Sequence, residues 1–203
     1  LFFKTGLIMS LKIKKKIILF SNSVWYLKNF KFHLINSLAK KYKIIIIIPY
    51  DDIKIKFKNQ NVEIVNLNFY LGNKLKLFEP IFLLPKLIFY FKKFNPDLVI
   101  NYTAKCNFYG SLISKILRLK CINNITGLGS LFLKDKLLYI LIRKFYFFFL
   151  NFSNLIITQN KFDLKYFSRF IKKSNIVNIE SSGIKIKKIN VFNKKKKEIN
   201  FLM

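Results

Sequence analysis

Acidic residues, histidine, cysteine and glycine are all scarce in this 203-residue chain, and each shortage removes a class of protein. Two cysteines cannot make a disulfide framework, and six glycines cannot make a collagen-like repeat. Cys106 and Cys121 lie far apart with no C-x-x-C pair, which fits a protein kept in a reducing cytoplasm. His33 is the single histidine. A histidine-rich metal site is thereby excluded, as is a Ser-His-Asp triad built on any other histidine. The pattern around His33 is that of an amphipathic helix, where it reads as a surface residue rather than a catalytic one. Alanine occurs only at Ala39 and Ala104, and arginine only at Arg118, Arg143 and Arg169.

Lysine, isoleucine, asparagine and phenylalanine fill the space. Lys+Arg number 38 against 9 Asp+Glu, a formal charge of +29, yet the chain is 52% hydrophobic. Such a charge with few apolar residues would suggest a disordered basic tail, but 24 Phe and 10 Tyr supply a core. The joint skew looks like the imprint of AT-rich coding, so the charge speaks only in part of partners. A positive field remains, and it draws anionic membrane surfaces or nucleic acid. The shortage of arginine, the preferred fork for bases and phosphates, counts against selected nucleic-acid recognition.

At the amino end, residues 1–11 are apolar and the basic run Lys12, Lys14, Lys15, Lys16 follows. A secretory signal needs the opposite order, so residues 1–15 read as a tail, with Met9 as a better start than Leu1. A spanning helix needs about 20 apolar residues. Residues 81–91 hold Pro85 and Lys86, and residues 137–152 hold Arg143 and Lys144. Neither spans; either can lie on a membrane.

Short β-branched runs alternate with longer helical patterns. Strands are expected at 16–20, 43–48, 62–67, 97–102, 120–124, 154–158 and 175–179. Most are continuous apolar runs, as for strands covered on both faces. Helices are expected at 29–41, 79–94, 107–119, 135–152 and 161–172. In the first of them Phe30, Leu34 and Leu38 recur every four residues while Lys28, Lys31 and Lys40 fall elsewhere. Asn107 and Asp135 are candidate N-caps, and Pro96 suits a helix stop before it. The alternation predicts an α/β fold, a parallel sheet between helix layers. Past Gly183 the pattern changes: 185–198 reads as a basic linker and 199–203 as a strand that has only begun.

In an open parallel sheet, ligands bind beyond the carboxyl ends of the strands. Polar residues collect there. Ser21, Asn22, Ser23, Trp25 and Asn29 follow the first strand, and Asn101, Tyr102, Thr103, Lys105 and Asn107 the fourth. Asn123, Asn124, Thr126, Gly127, Gly129 and Ser130 follow the fifth. Gln159 and Asn160 follow the sixth, and Glu180, Ser181, Ser182 and Gly183 the seventh. Amides, hydroxyls and aromatic faces suit a sugar's hydroxyls and apolar ring face. No G-x-x-x-x-G-K-[ST] occurs, and Ser21 and Asn22 stand where a dinucleotide fold needs glycines. Asp51 and Asp52 are adjacent, so their side chains diverge and read as solvating a loop. Asp163 falls in the first turn of a helix, where the macrodipole favours it.

Several of these strings, taken in order, resemble one family. Residues 17–31, IILFSNSVWYLKNFK, followed by Ile48-Pro49-Tyr50-Asp51-Asp52, look like the opening of family-4 glycosyltransferases. Residues 95–111, NPDLVINYTAKCNFYGS, look like that family's fourth strand and following helix. Asn123-Asn124-Ile125-Thr126-Gly127-Leu128-Gly129, Thr158-Gln159-Asn160-Lys161-Phe162-Asp163 and Ser182-Gly183-Ile184 complete the series. The subgroup resembled transfers sugars in capsule, O-antigen or other lipid-linked glycan assembly.

The resemblance implies a GT-B architecture of two Rossmann-like domains, with this chain supplying the acceptor domain over 16–184. The donor domain, implied to begin at 199–203, would bind the nucleotide sugar, a co-substrate rather than a cofactor. Hexosyl or N-acetylhexosaminyl transfer with retained configuration and no metal is implied. So is an acceptor on a polyprenyl diphosphate at the cytoplasmic, inner face of the plasma membrane, where the protein would be peripheral. No specific nucleic acid is expected, and this half alone should be inactive. The acceptor-side residues are expected to be Asn29, Asn101, Thr103, Lys105, Asn124 and Thr126, with Lys105 near the diphosphate; for Asn124 and Thr126, pinning a turn is the alternative. Two positions depart from the family pattern: Ile100 where many relatives have His, and Lys185 where an Asp usually stands. The rival reading is a non-catalytic basic module binding nucleic acid or anionic membrane.

Overall fold

The computed structural model describes residues 14–48, 57, 59–67, 79–127, 132, 137–172 and 175–180. The tail up to residue 13, Asp51, Asp52, Gly129, Ser130, Asp135, Ser181, Ser182, Gly183, Lys185, the linker at 185–198 and the strand at 199–203 lie outside them.

The elements are β1 (Lys16–Phe20), α1 (Val24–Phe30), α2 (Phe32–Ala39), β2 (Lys43–Ile48), β3 (Val62–Asn66), α3 (Glu79–Phe94), β4 (Leu98–Tyr102), α4 (Ala104–Ile116), β5 (Cys121–Ile125), α5 (Leu137–Leu150), β6 (Leu155–Thr158), α6 (Lys161–Phe167) and β7 (Ile176–Asn178). All seven strands pair in parallel in the order β3-β2-β1-β4-β5-β6-β7, and helices pack on both faces. The Rossmann-like sheet expected from the sequence is therefore present.

Strand alternation sorts the core. Ile18 and Phe20 of β1 face α3 and α4 with Leu83, Leu87, Phe91 and Ile113, while Ile17 and Leu19 face α1 and α2 with Leu27, Ile35 and Ala39. Five isoleucines make β2 apolar toward both layers, and all five are buried. Under α5 and α6 the core is aromatic, with Phe147 and Phe167 edge to face at 5.5 Å between centroids. Two exposed ion pairs, Lys43–Glu63 and Lys161–Glu180, contribute little beside this burial.

Four sequence expectations need correction. The helix expected at 29–41 is two helices meeting at Lys31, whose φ of −124° breaks the turn. Its buried stripe is Leu27, Lys31, Ile35 and Ala39, one position on from the expected Phe30, Leu34 and Leu38, of which the first two are exposed. Ala39 carries no bulk, so this stripe lets the helix approach β2 closely. Asn107 is not an N-cap: α4 starts at Ala104, and Asn107 is buried inside its first turns. The last helix ends at Phe167, where Ser168 is the cap, rather than at 172. His33 is exposed, as expected, and Asp163 is held by Asn160, whose Oδ1 accepts from the Asp163 N–H at 2.7 Å. Among the described residues no helix is long and apolar enough to cross a membrane.

Candidate functional site

The strand order reverses between β1 and β4, so the loops leaving these two strands diverge and open a crevice at the carboxyl edge. After β1, the Ser21 hydroxyl donates to the Ser23 carbonyl at 3.2 Å, and Ser23 caps α1 by accepting from the Tyr26 N–H at 3.4 Å. That turn delivers Tyr26, whose ring lies 6.0 Å from the Tyr102 ring at the end of β4. Lys31 Nζ sits 5.6 Å from the Tyr102 centroid. Burial lowers the Lys31 pKa from its ordinary value and raises those of Tyr26 and Tyr102. Gln159 opposes the rise at Tyr26, and the neighbouring Tyr26 adds to the rise at Tyr102.

On the far side of the crevice, Asn124 is the last residue but one of β5. Its Oδ1 accepts from Gln159 Nε2 at 3.1 Å, and its carbonyl accepts from Asn107 Nδ2 at 3.1 Å. Thr126 follows, exposed, beside Gly127 at φ 144°, a conformation that costs a residue with a side chain. Between the two walls stands Thr103. Its φ of 74° is unusual for a β-branched residue, and its hydroxyl is buried without a hydrogen-bond partner. No side chain caps α4, which begins at the next residue, and Lys105 is exposed in its first turn.

Of the six expected acceptor-side residues, Thr103, Lys105, Asn124 and Thr126 gather at this edge. Asn29 is exposed further along α1, and its amide donates to the Trp25 carbonyl at 2.8 Å. Asn101 is buried beneath α4: its Nδ2 donates to Asn123 Oδ1 at 2.8 Å and to Cys121 Sγ at 3.1 Å. Asn123 continues the chain to Ser111 Oγ at 2.7 Å. Burial among these groups pushes the Cys121 thiol up to about 11. Tyr26 and Gln159 are half-buried at this edge, with Lys31 and Tyr102 buried beneath them; Tyr102 and Gln159 were among the strand-end residues marked in the sequence, whereas Tyr26 and Lys31 were not. Lys31 had a legible signal, since it completes the four-residue recurrence of Leu27, Ile35 and Ala39. Among the described residues, no three of His, Cys, Asp and Glu come together in a group that could hold a metal ion.

Residues 16–160 match the family model described as glycosyl transferase 4-like. Among solved structures, the fold is similar to UDP-N-acetylglucosamine 2-epimerase from Rickettsia bellii, with a TM-score of 0.61 at 13% identity, covering 83% of this chain and 45% of that one. It is similar to the lipopolysaccharide outer core galactosyltransferase WaaB, at 0.58 and 12%, covering 80% and 44%. HepE from Anabaena, in complex with UDP, matches at 0.56 and 17%, covering 82% and 44%. The chain thus spans less than half of each of these three proteins. No protein of curated function matches the sequence.

Proposed function

The chain belongs to the glycosyl transferase 4-like family, and from that premise we propose that it is the acceptor-binding half of a retaining, nucleotide-sugar-dependent glycosyltransferase. The observation that carries this reading is the crevice at the β1/β4 reversal, where hydroxyls, amides and tyrosine rings collect on a family domain with no dinucleotide glycine loop. The names of its structural neighbours, a galactosyltransferase and a protein complexed with UDP, support a nucleotide-sugar donor.

In this reading the half-buried Tyr26 ring, backed by buried Tyr102, offers an apolar face to a sugar ring, and the Gln159 amide, held by Asn124, offers hydrogen bonds to its hydroxyls. Thr103 and Lys105 lie at the start of α4, whose dipole favours an anion, so this is where the acceptor's diphosphate would rest. The domain holds and orients the acceptor hydroxyl; the donor diphosphate would be bound outside it. The substrate class would be a polyprenyl-diphosphate-linked sugar at the cytoplasmic membrane face. The product would be a surface polysaccharide or lipid-linked glycan made by hexosyl or N-acetylhexosaminyl transfer.

The test is transfer of labelled sugar from UDP-sugars to a lipid-linked acceptor by the full-length protein. Lys105→Ala and Thr126→Ala should each raise the acceptor KM about tenfold, the loss of one hydrogen bond to a charged or polar group. Unchanged transfer in both variants would show the site assignment to be wrong.

A further inference from the structure

Helix α5 presents a surface that the crevice does not use. Its buried side chains, Tyr146, Phe147 and Leu150, all lie in its second half. None of residues 137–145 is buried, and Leu137, Leu138 and Phe145 are 73%, 64% and 60% exposed. Exposed leucines, isoleucines and phenylalanine on this scale favour an apolar surrounding. Beside it, an open groove of about 470 Å³ between α5 and α6 is lined by Ile140, Arg143, Phe147, Phe148, Tyr166 and Phe170. By contrast α3, the other apolar helix, buries Leu83, Leu87 and Phe91 in the core.

We propose that residues 137–145 of α5 dock the protein on an anionic lipid surface, the apolar side chains inserting shallowly while Arg143 and Lys144 meet the headgroups. This rests on the membrane-face part of the preceding reading and not on sugar transfer itself. Charge chooses among occupants. Arg143, Lys144, Lys165, Arg169 and Lys172 belong to α5, α6 and the turn after it; Asp163 there is buried and held by Asn160, and Glu180 pairs with Lys161. A second copy of a +29 chain would bring like charge to this face, and a nucleic acid would leave the leucines wet. A bilayer of anionic lipids satisfies both kinds of group. Nine helical residues span about 14 Å, enough for a shallow anchor and too short to cross a bilayer. Position agrees. The chain reaches α5 from the carboxyl end of β5 and leaves it for the start of β6, so the exposed first turns stand at the edge that carries the crevice. Docking there brings the crevice to the membrane, where a lipid-linked acceptor would arrive.

The experiment is flotation of the full-length protein with phosphatidylcholine vesicles, with and without about 30% phosphatidylglycerol. The protein should float with the anionic vesicles only. Leu138→Asp together with Leu141→Asp should lower its partition about tenfold or more, as loss of inserted leucines requires. Both positions are exposed, so folding should survive. Ile116→Asp, on exposed α4 surface, should change nothing. An environment-sensitive dye on Leu138→Cys, with both native thiols buried, should brighten on anionic vesicles. If the wild type ignores anionic vesicles, the membrane-face reading and this proposal fall together. If it floats and the α5 variants float equally, α5 is not the anchor. A dimer in solution that Leu138→Asp dissolves would assign the face to a second copy instead. Flotation without transfer to any lipid-linked acceptor presented in the same vesicles would sink the transferase reading and leave this one standing.

Discussion

Replacing Gly110 by alanine should destabilise the protein, although alanine is the better helix former. Gly110 lies in the middle of α4, where glycine ordinarily costs about 1 kcal/mol relative to alanine. A Cβ built on it would overlap the amide of Asn101. That amide cannot yield freely, because Nδ2 donates to Asn123 Oδ1 at 2.8 Å and to Cys121 Sγ, and the residue is fully buried. Displacing it strands a buried amide and the Asn123 acceptor, about 1–3 kcal/mol each. The overpacking itself adds about 1–3 kcal/mol. Against a helix gain of about 1 kcal/mol, the net loss is about 2–8 kcal/mol. For a chain of this size that lowers the melting midpoint by roughly 5–30 °C. Urea and thermal unfolding followed by circular dichroism measure it. A double-mutant cycle isolates the cause: in an Asn101→Ala background the same change should be neutral or stabilising, since its obstacle is gone. A Gly110→Ala protein as stable as wild type would refute the reasoning, as would an equal loss in both backgrounds.

Two other outcomes are expected. Burial raises the Cys121 pKa from 9.0 to about 11 and raises those of Tyr102 and Tyr146 from 10.0, so the folded state keeps protons that the unfolded state releases first. Stability should be level between about pH 7 and 9 and fall above it, by up to about 3 kcal/mol at pH 11 from the thiol alone; Lys31, lowered by burial, opposes this in part. Urea midpoints at pH 8 and pH 10.5 that coincide would contradict it. Arg118 sits at φ 54° just past α4, where its N–H donates to Lys115 O and the next N–H donates to Ser114 O at 2.8 Å, a left-handed helix stop. Arg118→Gly should therefore raise stability by about 0.5–1 kcal/mol, seen as a higher thermal midpoint; a lower one would count against strain at that residue.

Much of the fold was legible because its strands are local statements. A run such as the five isoleucines of β2 can be satisfied only between two apolar layers, and its ends are marked by lysine and proline. The bounds of β1, β2 and α3 came out as expected. What failed needed knowledge of partners. Two stripes one residue apart run along α1 and α2, and only the sheet beneath decides that the one containing Lys31 is buried. The polar carboxyl edge, where the candidate site is placed, was legible from strand endings, but not the direction of each side chain. Asn101 and Asn123 are paired in register across β4 and β5 and both turn under α4, whereas the next residues, Tyr102 and Asn124, face the other way. Gln159 was legible as a strand-end polar residue, but its bond to Asn124, a contact 35 residues apart, is encoded by no local pattern.

The place of β1 in the sheet has a consequence during synthesis. One neighbour, β2, follows within a short stretch, but the other is β4, and the Lys16 N–H meets its Asp97 acceptor across 81 residues. At about 5–20 residues per second, the ribosome needs roughly 4–16 s to supply that second neighbour. Throughout that interval the apolar edge of Ile17, Ile18, Leu19 and Phe20 is an open template for pairing with another nascent chain. Lys14, Lys15 and Lys16 stand directly before it. Whatever coding bias put them there, these cations serve as gatekeepers, repelling a second copy until the proper strand emerges.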